Sequence, residues 1–177
     1  YRAYAGKVES GIVRVGDEII VLPGNQRAKV KSIMGMNGPQ QEAFSPQSIS
    51  LELIDEIDVS RGNMFVKPNN QPEEVRQLSA MICWMSSQAY IPGRKYILRH
   101  TTNEVKAMVK SILYVYDMQT LKRDEEQAAL QANDIARIEL QLAGPIFVDE
   151  YRKNKATGSF ILIDEQSNQT LAVGMIS

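Results

Sequence analysis

Three glycines in VESGIVRVGDEIIVLPG, Gly11, Gly16 and Gly24, stand between short runs of branched apolar residues, and Gly11 and Gly16 are spaced as the two glycines of a phosphate-binding loop. Such a loop converges successive backbone amides and a helix N-terminus on the phosphates, with Lys and Ser/Thr directly after the second glycine. Asp17 and Glu18 occupy those two positions, so carboxylates would face the anion, and a strand-like run follows where a helix is needed. A dinucleotide fingerprint fails too, for want of its third glycine and a surrounding βαβ unit. The glycines therefore read as hairpin turns that need positive φ.

Other residues with chemical potential are sparse. One cysteine, Cys83, and one histidine, His100, do not make a transition-metal cluster. A purely carboxylate metal site stays open, although no acidic run has calcium-loop spacing. Asp55, Glu56 and Asp58 in IDEIDVSRG read as a solvated turn with Arg61 pairing nearby. His100 in RHTTNE, beside Thr101 and Thr102, supplies the residue types of a base and a nucleophile, but nothing supplies a third orienting group. It reads instead as a histidine that hydrogen-bonds backbone or lines an interface. Two basic patches remain, Arg94, Lys95 and Arg99, and Arg152, Lys153 and Lys155, with Tyr90, Tyr96 and Tyr151 interleaved. Tyrosines among cations suit RNA or a phosphorylated ligand, and equally suit a protein interface or a solvated surface. Trp84 and Met85 read as core.

The elements that must position these residues are strands. In RAKVKSI, Arg27, Lys29 and Lys31 fall on one extended face and Ala28, Val30 and Ser32 on the other, so one face is wet and one buried. EVKAMVKSILYVY reads as a long, bent strand with Val105, Ala107, Val109, Leu113 and Val115 alternating against Lys106, Lys110 and Tyr114. Further strands are expected at 3–9, 12–15, 18–22, 49–54, 64–67, 79–85, 95–99, 136–141, 159–163 and 170–175, separated by turn chemistry such as Pro23-Gly24-Asn25 and Ser167-Asn168. DEEQAALQAND, 124–134, reads either as a short helix or as a polar loop. KPNNQPEE, 67–74, interrupts the strands and marks a boundary between pieces of roughly 70 and 100 residues. The expected fold class is all-β, with two consecutive small β-barrels over 1–70 and 71–177, closure removing exposed edges.

Composition bounds the partners. The 177 residues are 44% hydrophobic and 23% charged, an ordinary globular balance. Twenty basic against twenty-one acidic residues give a net charge of -1, which provides no global attraction for nucleic acid or an anionic membrane. The single cysteine excludes an intrachain disulfide and fits a cytoplasmic location; no signal-peptide core or membrane-length apolar run is present. The chain opens on Tyr1 and enters strand-like sequence at once, which reads as part of something longer.

The ordered motifs resemble a known family. YAGKVESGIVRVGDEIIVLPGNQRAKVKSI is similar to the second domain of translation-type GTPases, and IDEIDVSRGNMFV resembles the strand-turn-strand that closes that barrel. RKYILRHTTNEVKAMVKSILYVYDMQTL and NDIARIELQLAGPIFVDEYRKNKATGSFILIDEQSNQTLAVGMI resemble the C-terminal barrel of the GTPase-subunit family of bacterial sulfate adenylyltransferases. The run from Tyr151 to Asp164 is its most distinctive part, and the likeness is loosest at 35–48 and 123–132.

The resemblance implies an N-terminal GTP-binding domain followed by these two elongation-factor-like barrels, domain 2 at 1–70 and domain 3 at 71–177. It implies pairing with a smaller catalytic subunit that forms adenosine 5′-phosphosulfate and pyrophosphate from ATP and sulfate, driven by GTP hydrolysis. GTP, ATP and Mg would belong to that parent assembly; Asn154-Lys155-Ala156-Thr157 lacks the aspartate that reads guanine, so no nucleotide ligand and no catalytic residue is carried over to this chain. The barrels are thus expected to be non-catalytic, with Arg99, His100, Arg152 and Lys155 as partner contacts. The alternative is a pair of tRNA- or ribosome-binding barrels from a translation factor, which the net charge disfavours.

Overall fold

A computed structural model describes residues 1–177, with fifteen strands and no helix. The chain folds as two compact units, Tyr1–Gln71 and Pro72–Ser177.

The first unit contains β1 (Tyr4–Lys7), β2 (Ile12–Arg14), β3 (Glu18–Leu22), β4 (Gln26–Gly35), β5 (Gly38–Gln40), β6 (Glu42–Phe44), β7 (Ser48–Leu53) and β8 (Met64–Val66). The sheet runs β1-β7-β4-β3-β8, β5 folds back on β4, and β2 and β6 form a separate ribbon. Val13 and Ala43 of that ribbon pack on the core that Ile19, Val21, Val30 and Leu51 of the sheet enclose. Sheet and ribbon therefore wrap one interior. The unbroken apolar run of β3 is explained by burial on both of its faces, Ile19 through Leu22 being buried in succession. In β4 the expected alternation holds through Val30 and then changes phase. A bulge between Val30 and Ser32 turns Ile33 into the core and leaves Ser32 half-buried.

The second unit contains β9 (Glu73–Trp84), β10 (Lys95–His100), β11 (Asn103–Tyr116), β12 (Arg123–Asp124), β13 (Ile135–Val148), β14 (Ser159–Ile163) and β15 (Thr170–Ile176). Its order, β10-β14-β15-β9-β13-β11, returns to β10 through the β10–β11 pairing, so six strands close a barrel and only β12 lies off the ring. Closure leaves no long unpaired edge. Trp84 sits in the barrel core, edge-on to Tyr90 and Tyr96 at 6.0 Å, and its indole N–H donates to the Gln88 carbonyl at 2.8 Å. Met85, by contrast, is 55% exposed, so only the tryptophan of that pair is core. Two bulges in β11, at 109–111 and 112–114, rotate Leu113 outward to 41% exposure and break the alternation read from sequence.

Residues 124–134 form no helix. The Asp124 carboxylate accepts the Glu126 and Gln127 amides, and the Asp134 carboxylate accepts the Gln131 amide, each supplying the backbone with a local alternative to helical bonds. Leu130 anchors the loop, fully buried in the barrel core, and backbone hydrogen bonds between Trp84 and both Asn133 and Asp134 tie its end to β9.

Candidate functional site

The glycine stretch takes the conformation of turns. Gly11 and Gly16 lie at φ 71° and 87°, the left-handed region that glycine adopts without steric cost, whereas at the next turn Asn25, not Gly24, carries the positive φ of 55°. The Gly16 amide donates to the Val30 carbonyl at 2.8 Å, and the Asp17 carboxylate accepts the Arg14 amide at 2.9 Å and pairs with Lys67 at 3.1 Å. Partial burial opposes ionisation of Asp17, but these donors outweigh it and hold its carboxyl below the usual carboxylate range. An ionised carboxylate at this turn does not fit a phosphate.

Asp55, Glu56 and Asp58 are all exposed, as expected of a solvated turn, but the pairing cation differs from the one expected. Asp58 pairs with Arg2 at 3.0 Å, and Arg61 takes no part in an ion pair. No group of three or more His, Cys, Asp or Glu side chains is arranged to hold a metal ion.

The first basic patch divides. Arg94 is tied to Asp164 at 2.5 Å and lies over the Tyr96 ring at 6.0 Å. Asp164 is buried; hydrogen bonds from the Ser167 hydroxyl and amide keep its carboxyl below the ordinary range, with Arg94 adding to the effect. Arg94 is thus a structural cation, and Tyr96 belongs to the core. Arg99 points outward from β10 and makes two hydrogen bonds to Glu104, at 2.7 and 2.6 Å, across the β10–β11 turn.

His100 is placed by strand phase. It follows Tyr96 and Leu98 on the inward face of β10, is 1% exposed, and its Nε2–H donates to the Thr157 carbonyl at 2.7 Å. The Thr157 hydroxyl in turn donates to Asp149 at 2.7 Å. Burial pushes the His100 pKa down, against the Thr157 carbonyl and the Asp149 charge, so the ring is neutral. His100, expected as a partner contact, lies inside the second unit of this chain, where its ring braces the Asp149–Gly158 loop. Thr101 and Thr102 lie at the turn beyond it, and Thr101 is held at φ 52°, an uncommon conformation for a β-branched residue.

The second patch lies on that braced loop. Arg152 and Lys155 are exposed, as is Lys153, and none of the three has an ion-pair partner. Gly158 ends the loop where a Cβ would stand 2.5 Å from the Tyr151 nitrogen and 2.6 Å from the Asn154 oxygen, so the glycine permits the chain to close on itself. Arg99 and Lys155, 56 positions apart in the chain, line one groove of about 690 Å³ on the second unit. Its remaining walls include Cys83 together with Met81, Val173 and Met175, and those last three carry no feature that singles them out individually in the sequence. The available signal was that LAVGMI and SAMICW are apolar at both parities, more than a strand wet on one face requires.

Residues 77–177 match the family described as GTP-eEF1A C-terminal domain-like. The chain belongs to that family. Over 99% of its length it is also 44% identical to the bifunctional enzyme CysN/CysC of Mycobacterium tuberculosis (strain ATCC 25618 / H37Rv) and 43% identical to sulfate adenylyltransferase subunit 1 of Bacteroides thetaiotaomicron. It spans 29% and 38% of those proteins, about a third of their length. Among solved structures it is similar to sup35 complexed with GDP, with a TM-score of 0.88, 18% identity, and coverage of 98% of this chain and 43% of that one. At that identity the likeness establishes the fold, all-β with barrels of the translation-GTPase type. The similarity to sulfate adenylyltransferase subunit 1 extends across both units, as the motif resemblance implied. No helix is long and apolar enough to cross a membrane.

Proposed function

We propose that the two units are the domain 2 and domain 3 barrels of a sulfate adenylyltransferase GTPase subunit, and that they do no chemistry themselves. The observation that carries this reading is 43% identity, over an alignment that covers 99% of the chain and so spans both units, to a protein named sulfate adenylyltransferase subunit 1. In the proposed assembly an N-terminal domain of the same polypeptide binds GTP and Mg, and a smaller subunit joins sulfate to ATP in the cytoplasm. The barrels transmit the nucleotide state between them. That role requires contacts that differ between two arrangements, because only differential interaction free energy can couple GTP turnover to sulfate activation. Arg99, Arg152 and Lys155 are the proposed partner contacts, supported by their outward placement. His100 positions the loop that carries two of them.

The test is pyrophosphate release from ATP and sulfate. The full-length protein with its small subunit should release it in proportion to GTP hydrolysis, and this chain alone should not. Release by the chain alone, or a salt-dependent shift of tRNA by the full-length protein without sulfate-dependent turnover, would overturn the reading.

A further inference from the structure

We propose that the outer face of the second unit's barrel docks an apolar segment of the partner subunit flanked by carboxylates. The proposal rests on the reading above for the identity of the partner and adds the surface and the chemistry of what it holds. Strand register assembles the surface. Arg99 of β10 stands opposite Ile161 of β14, Ile161 opposite Val173 of β15, Val173 opposite Cys83 of β9, and Cys83 opposite Ile135 of β13. These five residues make one cross-strand row. In the row beside it, Ser159, Met175, Met81 and Arg137 face one another in the same order of strands. Residues two apart on a strand share a face, so the two rows form a single outward patch.

Outward positions of a barrel strand in water ordinarily carry polar side chains. Here the centre of both rows is apolar, and Val173 and Met175 are 39% and 45% exposed. A contiguous exposed apolar patch marks a binding surface, and methionine at its centre adapts to the shape of what it meets. The floor is concave, a groove of about 690 Å³ with room for several side chains.

Charge selects the occupant. No carboxylate lines the groove; Lys155 lines it without an ion-pair partner, Arg99 lines it while bound to Glu104 at its edge, and Arg152 and Lys153 extend the cationic rim on the adjoining loop, also unpaired. A second copy of this chain, docked by the same face, would set that rim against itself. Nucleic acid would bring phosphates over methionine and valine with Tyr151 as the groove's one tyrosine. A protein segment with apolar side chains at its centre and Asp or Glu at its ends satisfies both floor and rim.

The experiment compares the full-length wild-type protein with two variants, Val173→Glu combined with Met175→Glu, and Lys155→Glu. All these side chains are exposed, and circular dichroism melting checks folding. Binding to the small subunit is measured by sedimentation, and binding to two synthetic peptides by fluorescence anisotropy. One peptide has leucines flanked by Asp-Glu and the other has the same leucines flanked by Lys. The double variant should bind the small subunit at least about tenfold more weakly, Lys155→Glu several-fold more weakly, and wild type should prefer the acidic peptide. A small-subunit complex unaffected by the double variant overturns the proposal whatever the peptides do. If wild type forms no such complex, the assignment of the partner falls, and the peptides decide the surface: an acidic preference lost in the double variant upholds it, and no preference refutes it.

Discussion

Substitution of Gly158 by alanine tests whether the distinctive TGSFILID ending is there for backbone closure. A Cβ at this position meets the Tyr151 Cα and nitrogen and the Asn154 oxygen, all backbone atoms that no rotamer change can move aside. The chain must separate there, and three hydrogen bonds depend on its staying closed: Gly158 N–H to Asn154 at 2.8 Å, Ile176 N–H to the Gly158 carbonyl at 2.8 Å, and Tyr151 N–H to Ile176 at 2.9 Å. At about 1 kcal/mol each their loss costs about 3 kcal/mol, and reduced freedom of the unfolded alanine chain offsets up to about 1 of that. A net loss of about 2 kcal/mol corresponds to a urea midpoint lowered by about 1 M. Trp84, the only tryptophan, lies inside the second unit, so its fluorescence reports this unit alone. Gly144→Ala is the control, because its Cβ meets only a Val105 methyl at 3.6 Å, and its midpoint should not fall. A Gly158→Ala midpoint equal to wild type, or an equal fall in the control, would refute the closure argument.

Replacing Thr101, held at φ 52°, with asparagine should raise the stability of the second unit by about 0.5 to 1 kcal/mol, read from the same fluorescence midpoint, since Asn tolerates the left-handed region and a β-branched residue does not. The His100 pKa is depressed in the folded state, so its contribution is fully present above the unfolded value of 6.5 and is lost as pH falls below it; His100→Gln should flatten the stability slope measured below about pH 6.5. Asp17→Ala removes the acceptor for the Arg14 amide and the partner of Lys67, and should lower the first unit's melting, followed by circular dichroism, by about 1 kcal/mol.

Where local chemistry and tertiary packing agree, the strands were legible. Glu18–Leu22 and Ser159–Ile163 have the bounds read from sequence because turn residues flank apolar runs on both sides. β9 and β13 extend well beyond their apolar centres because they pair with each other, as between Val75 and Ile146, and a cross-strand ladder leaves no periodic trace in either strand alone. The short β5, β6 and β12 were missed for the same reason. The helix-forming composition of 124–134 is overridden by two aspartates that capture local amides, at a length where an isolated helix is marginal. Bulges explain Ser32 and Leu113, since one extra residue reverses which parity faces the core. His100 was legible in principle: it sits two residues beyond Leu98, in phase with the buried positions of its own strand.

The same phase argument separates what a closed barrel can vary from what it cannot. Once six strands close, every inward position must fill one fixed interior, and Trp84, Leu98, Ile138 and Leu162 all do so with almost no exposure. Outward positions have no such obligation, so an outward choice that departs from polar carries information about something outside the barrel. Val173 and Met175 are such choices, and the strand between Leu171 and Ile176 would close the ring equally well with threonine or serine in their place. The loop from Asp149 to Gly158 is held to the barrel by a buried histidine and by a glycine with no room for a side chain, yet it presents three unpaired cations at its surface. Rigid support beneath unpaired charge is a costly arrangement for a surface that only meets water, since a flexible loop solvates the same charges without loss of chain entropy. It is the arrangement expected where the charges must be found in one place by a partner.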